Sequence, residues 1–172
     1  MSETSTLARL QTPDLQVEAA WMADAIQVLT ESAFGPGRLA KTAERLRERN
    51  QMVAGLCFAP VVDHQVAGSV RVWPIRIGGH KALFLGPIVV DPAWRHAGLG
   101  ARLVHRVIEA AKARGDERIL LVGDLPFFGP LGFTVVPAGR VHMPGPVNPG
   151  RLLWMALAEG ALEGVVGTVA VG

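Results

Sequence analysis

A chain of 172 residues with 49% hydrophobic side chains and a mean hydropathy of +0.30 suits one domain, residues 1–172, with a sizeable core. Its 17 Lys and Arg against 15 Asp and Glu leave a net charge of +2; the isoelectric point is about 9.2, but so small and scattered an excess gives no footprint for nucleic acid. No apolar run approaches the roughly 20 residues of a membrane span, Met1–Thr6 lacks the basic start and apolar stretch of a secretory leader, and the single Cys57 excludes an internal disulfide or a multi-cysteine metal site. The expectation is a cytoplasmic protein with no membrane partner.

Pro13-Asp14 signals a helix start, and a helix is predicted from Leu15 to Ser32, broken by Phe34-Gly35-Pro36-Gly37. A second, half-buried helix is predicted from Arg38 to Arg49, with Leu39, Ala43 and Leu46 on its apolar face. From there the pattern turns to strands. Val53–Ala59 is apolar throughout and carries Cys57, read as a buried core thiol; Val62–Gln65 is a turn, Val66–Ile77 a second strand and Gly78-Gly79 a hairpin. Leu83–Val90 is a third apolar run, and Gly86-Pro87 inside it predicts an edge, bend or bulge, because proline removes a ladder donor.

A strong helix follows from Gly98 to Arg114, with Leu99, Leu103, Val107 and Ala111 at four-residue intervals and Gly115 as its stop. Ile119–Val122 is a short strand expected to pair in parallel with the strand before the helix. Phe127–Leu131 is read as a short helix, and Phe133–Val136, Leu152–Leu157 and Val165–Val171 as late strands. The fold class is α+β (mixed α/β): an antiparallel meander that merges into a parallel pair.

The chemistry lies in Leu85–Leu103. A strand ends at Val90, a turn follows, and Gly98 and Gly100 open a helix. The first turn of a helix offers free N–H groups and the positive end of its dipole, a site for a pyrophosphate. Glycine lets the backbone approach the phosphates, and Arg95 and His96 stand at the rim as side-chain donors. The dinucleotide fingerprint requires a third glycine where Leu103 stands, and the triphosphate loop requires Gly-Lys-Ser/Thr, which is absent. No two histidines have metal-ligand spacing on one helix, so no metal is expected.

Arg95-x-x-Gly98-x-Gly100 after Ile88-Val89-Val90-Asp91-Pro92 resembles the acetyl-CoA signature of the GCN5-related N-acetyltransferases. The segments Ala33–Arg38, Gly68–Pro74, Gly123-Asp124, Leu131–Phe133, Pro144–Val147 and Gly160–Leu162 resemble a bacterial branch of that family called YhbS-like, so the likeness covers almost the whole chain. It implies a central, mostly antiparallel sheet with one splayed parallel pair and flanking helices, the pantetheine arm of acetyl-CoA lying in the gap. It implies that Ile88, Val89 and Val90 present backbone groups to the pantetheine and the acetyl carbonyl, with the N–H near Val89 stabilising the oxyanion. The amides of Arg95, His96, Ala97, Gly98, Leu99 and Gly100, continuing to Ala101, would hold the pyrophosphate.

The implied reaction is direct attack by a small-molecule or protein amine on the thioester, with acetyl-CoA as cosubstrate; a homodimer is left open. Asp124, by position, is a candidate general base and equally a helix cap. Many family members protonate the departing thiolate with a tyrosine after the fifth strand, whereas this chain has no tyrosine and shows Phe127-Phe128 there. Phe128 is then a packing residue that touches the thiol end of the cofactor. The missing phenol sustains a rival reading, a non-catalytic acyl-CoA-binding protein. His64, His80 and His105 are read as turn or surface residues, and His142 as loop structure or acceptor-site lining.

Overall fold

The computed structural model describes residues 12–172, so Met1–Thr6 lies outside the described residues. The first expectation fails at its start. Asp14–Val17 is a strand, β1, paired antiparallel with β2 (Phe58–Val62) from Asp14↔Val61 to Val17↔Phe58. Asp14 does not cap a helix; its carboxylate accepts from the Gln16 side chain at 3.2 Å. The ladder to β2 holds these four residues extended, and helix α1 is confined to Ala23–Phe34. The second predicted helix is likewise reduced to a 3-10 turn over Pro36–Ala40 and one turn, α2, over Thr42–Arg45. Lys41 between them is extended (φ −74°, ψ 146°). The Thr42 hydroxyl donates to the Pro146 carbonyl at 2.6 Å and pins α2 to a distant loop.

The strand predicted at Val53–Ala59 begins late, because the Val53 amide is taken by the Val72 carbonyl (2.9 Å) ahead of a turn. Asp63 and His64, with φ 48° and 62°, make the tight turn into β3 (Gln65–Val66). The long hairpin of β4 (Gly68–Ile77) and β5 (His80–Val90) forms the centre of the sheet. β6 (Arg118–Val122) pairs parallel to β5, and β9 (Leu152–Ala156) antiparallel to β6. β7 (Thr134–Val135) closes one edge beside β9. At the far end of β4, Ile75–Ile77 pair with β10 (Gly167–Val171), which also meets β8 (Val141–His142), a strand the sequence did not disclose.

Helix α3 (Leu99–Arg114) stands where predicted, between Gly98 and Gly115, both left-handed. Its four-residue repeat is the buried face: Leu99, Leu103, Val107 and Ala111 are fully covered. Side chains alternate across the sheet. Leu83, Leu85, Ile119 and Leu121 join α3 in one core, while Phe84 and Leu120 join Leu46, Trp154 and Val169 in a second core on the opposite face.

Cys57 is 4% exposed, with its sulfur 3.3 Å from the Val72 amide that donates to it. Burial pushes the thiol up to about 11. At neutral pH the folded protein is therefore expected to resist iodoacetamide and to be alkylated only on denaturation, with mass spectrometry as the readout; rapid modification of the folded chain would contradict this burial.

β5 carries an extra residue where its proline predicted one. Val70 faces Ile88 but Val72 faces Leu85, so Gly86 and Pro87 together oppose Arg71. Gly86 adopts φ 138°, a conformation L side chains rarely take. The Trp73 indole N–H donates to the Gly86 carbonyl at 2.7 Å and fastens the bulge to β4. Trp73→Phe keeps the ring but orphans that carbonyl, at a cost of about 1–2 kcal/mol. Calorimetry should show a Tm lower by roughly 2–8 °C; an unchanged Tm would remove the indole from this role.

Candidate functional site

Pairing between β5 and β6 is confined to Leu83↔Ile119 and Phe84↔Leu120. Beyond the bulge the two strands part, and the gap opens into a cleft of about 600 Å³. One wall is β5, from Leu85 to Ile88 and at Val90; the opposite wall is the end of β6, Val122–Asp124, followed by Phe127 and Phe128 of helix α4 (Leu125–Phe128).

The direction of the β5 peptide groups follows from its register. Antiparallel pairs alternate between hydrogen-bonded and non-bonded, two residues apart. The Asp91 amide donates to the Ala67 carbonyl (2.9 Å), which makes Gly68↔Val90 a non-bonded pair and Ser69↔Val89 a bonded one. The peptide groups of Val89 therefore face β4, while the N–H groups of Ile88 and Val90 face the gap. Val89 was the residue expected to present its amide there; the alternation corrects this to Ile88. The Val89 side chain is buried on the other side and does not line the cleft.

At the end of β5 the Asp91 carboxylate caps a 3-10 turn, Pro92–Ala97, by accepting from the Ala93 amide at 2.9 Å. Gly98, with φ 69°, reverses the chain into α3. The helical ladder begins with the Arg102 amide on the Gly98 carbonyl, 3.1 Å. The amides of Leu99, Gly100 and Ala101 precede that ladder and are the free donors of the first turn. Arg95, Gly98, Gly100 and Ala101 line the cleft. Ala97 is exposed outside it, and Leu99 sends its side chain into the core, leaving its amide to the helix start.

Phe128 is 9% exposed and packs edge-on against Phe133 (5.7 Å between centroids) and Phe127 (4.8 Å). Phe127 is more open, and its ring lies over α3, where a Cβ on Gly100 would meet it at 3.2 Å. Asp124 caps α4 through its main-chain carbonyl, which accepts from Phe127 and Phe128, while its exposed carboxylate pairs with Arg151 Nε at 3.1 Å. His142 lies on β8 and lines a separate groove with Met143 and Pro146.

The remaining wall was not legible as a site. Thr30 and Phe34 of α1, and then Arg38, Lys41 and Arg47, close the cleft above the bulge. Arg47 follows Ala43 at helical spacing, on the buried face read from the sequence, and a cation on an apolar face was the available signal. Its Nη1 pairs with Glu44 at 3.1 Å, and its guanidinium lies 5.7 Å from the Phe84 ring centre. Burial pulls its pKa below the usual arginine value, against the opposing pull of Glu44. Among the described residues no three His, Cys, Asp or Glu gather as a metal-ligand group.

Residues 23–133 match the family model for the acetyltransferase (GNAT) family. The chain is 27% identical over 157 residues to the uncharacterized N-acetyltransferase YhbS of Escherichia coli strain K12, covering 90% of this chain and 93% of that one. It is 29% identical over 99 residues to a glucosamine 6-phosphate N-acetyltransferase of Trypanosoma brucei brucei, covering 55% of this chain and 67% of that one. The crystal structure of Escherichia coli YhbS, solved in complex with CoA, shares the fold with a TM-score of 0.80 at 24% identity, covering 93% of this chain and 89% of that one. With the family pattern matched over most of its length and the splayed strand pair in place, this chain belongs to the GNAT family of acetyltransferases.

Proposed function

We propose that the chain transfers the acetyl group of acetyl-CoA to an amine by direct attack. The observation that carries the reading is the parting of β5 from β6 at the bulge, with free strand amides on one side and the first turn of α3 at its mouth. The pantetheine takes the place of the missing strand pairing along Ile88–Val90. The pyrophosphate is held by the amides of Leu99, Gly100 and Ala101, with Arg95 beside them; Val89, His96 and Ala97 remain in the signature as spacing and scaffold. Ile88 N–H points to where the thioester oxygen gains charge, and a preorganised donor of this kind is worth about 10²–10³-fold in rate. The Escherichia coli protein solved in complex with CoA supports a CoA-type cosubstrate.

The reaction needs a neutral amine and a proton for the thiolate. Among the described residues Asp124 is the one carboxylate that lines the cleft, and it pairs with Arg151 there. No phenol is available, since the chain has no tyrosine. The thiolate then takes its proton from the ammonium just formed, or from water. A thiol's reference pKa near 8.5 makes that departure feasible.

Gly100→Val should fold, because valine is no worse than glycine in a helix and the atom it meets is the free end of the Phe127 ring. Acetyl-CoA affinity by calorimetry should fall at least about tenfold, the value of one lost charge-assisted bond. Unchanged affinity in the folded variant would exclude the α3 terminus as the phosphate site.

Installing a phenol should help. Phe128→Tyr and, separately, Phe127→Tyr are compared with the native chain by release of free CoA on one acceptor. A gain of up to about 10² in kcat is expected from at least one, within the range general acids supply. If neither is faster while the native kcat is already near the median of about 10 s⁻¹, this segment has no part in proton transfer. Binding of acetyl-CoA with no turnover of any amine favours the rival reading, a non-catalytic acyl-CoA-binding protein, for which the Phe127-Phe128 pair is the supporting observation.

A further inference from the structure

The side chains around the cleft are unequal in charge. Five cations line it, Arg38, Lys41, Arg47, Arg95 and Arg151, against one carboxylate, Asp124, which is already paired with Arg151. Arg95 follows the end of β5 and stands with the α3 terminus. Arg47 is at the bulge: a Cβ on Gly86 would lie 3.0 Å from its Nη2. Allowing for the extra residue of the bulge, Gly86 and Val90 are roughly 10 Å apart along the strand at about 3.3 Å per residue, so Arg47 stands nearer the thioester than the phosphates.

The Arg47 guanidinium is also incompletely satisfied. Nη1 is engaged by Glu44, while Nε is buried without a partner. Glu44 does not line the cleft, and it is shared between Arg47 and Arg38, the latter at 4.0 Å. Lys41 has no carboxylate within salt-bridge distance among the described residues, and its extended backbone turns it out of the helical run that holds Glu44. One half-buried carboxylate thus serves two of the three cations on this wall, and Lys41 has none among the described residues. Arg47, the least exposed of the three and with an unpartnered buried Nε, is the cation whose charge a bound anion would complete, with Arg38 and the exposed Lys41 beside it.

We infer that the acceptor is a small primary amine that carries its own anionic group, a carboxylate or a phosphate, received by Arg47, Arg38 and Lys41 while the amine is directed at the bulge. This rests on the acetyltransferase reading. Arginine forks suit either oxyanion and hold it in a fixed orientation, and the cleft volume is that of a small-molecule site. A cationic polyamine, by the same charges, is disfavoured. The guanidinium also favours the neutral form of a nearby amine, as like charge does generally, which is the form that attacks.

The test uses the full chain saturated with CoA and two matched pairs of probes, 2-aminoethyl phosphate against ethanolamine and β-alanine against β-alaninamide. Calorimetric binding is measured alongside CoA release from acetyl-CoA. The anionic member of at least one pair should bind about 10- to 100-fold more tightly, the value of one or two charge-assisted bonds, and which pair responds tells phosphate from carboxylate. Arg47→Gln should bring that ratio towards one. Because Arg47 packs on Phe84, the exposed Lys41→Gln serves as a second variant, with a smaller drop in the same ratio. Equal or tighter binding of the neutral members, no binding of either anionic amine at millimolar concentration, or an acidic peptide outcompeting both would overturn the inference while leaving the acetyltransferase reading intact. Failure to bind CoA at the saturation step would remove both.

Discussion

One extra residue in β5 governs the architecture around the cleft. Gly86 and Pro87 occupy the space opposite a single residue of β4, and the Trp73 indole ties the displaced carbonyl down. On the N-terminal side of that bulge β5 pairs with β6; on the C-terminal side it does not. A central strand with unpaired backbone groups facing a cavity is unfavourable in isolation, since each buried amide seeks a partner. An extended ligand with amide groups of its own, such as pantetheine, is the chemistry that answers it. The bulge also sets the phase of everything beyond it, which is why Ile88 and Val90, and not Val89, turn their N–H groups into the gap.

Helix α3 supplies the second half of the arrangement by an independent route. Its fully buried apolar face fixes the helix against the sheet, and that packing places its first turn at the open end of the same gap. Gly98 is the hinge that lets a strand, a 3-10 turn and a helix meet within ten residues. The site is therefore held by the two cores and needs few residues of its own. That is consistent with a proposed chemistry in which backbone amides act more than side chains do.

What the sequence disclosed follows the same division. The interruption of β5 was legible because Gly-Pro inside an apolar run breaks a ladder, as an edge, a bend or a bulge, and α3 because sixteen residues of strict periodicity flanked by glycines leave little choice. The N-terminal third was misread. Leu15–Val17 fits a helical pattern, but pairing with Phe58–Val61 overrides it, and a partner more than forty residues away leaves no local trace. The helix predicted over Arg38–Arg49 is interrupted at Lys41, whose extended backbone separates the 3-10 turn from α2, while the Thr42 hydroxyl ties α2 to the loop at Pro146. The wall of Arg38, Lys41 and Arg47 was not among the candidate site residues, because a single half-buried helix does not bring these three side chains to one cleft. The choice of Val89 as the amide facing the gap was off by one for a related reason: register depends on the partner strand, and a one-residue shift reverses which groups face the gap.

A crystal structure with acetyl-CoA bound tests the central claim most directly. The pantetheine should run between β5 and β6, and the thioester oxygen should lie within about 2.7–3.1 Å of the Ile88 nitrogen, with the pyrophosphate on the amides of Leu99–Ala101. A thioester placed on the Val89 nitrogen, or a ligand bound outside the β5–β6 gap, would contradict it.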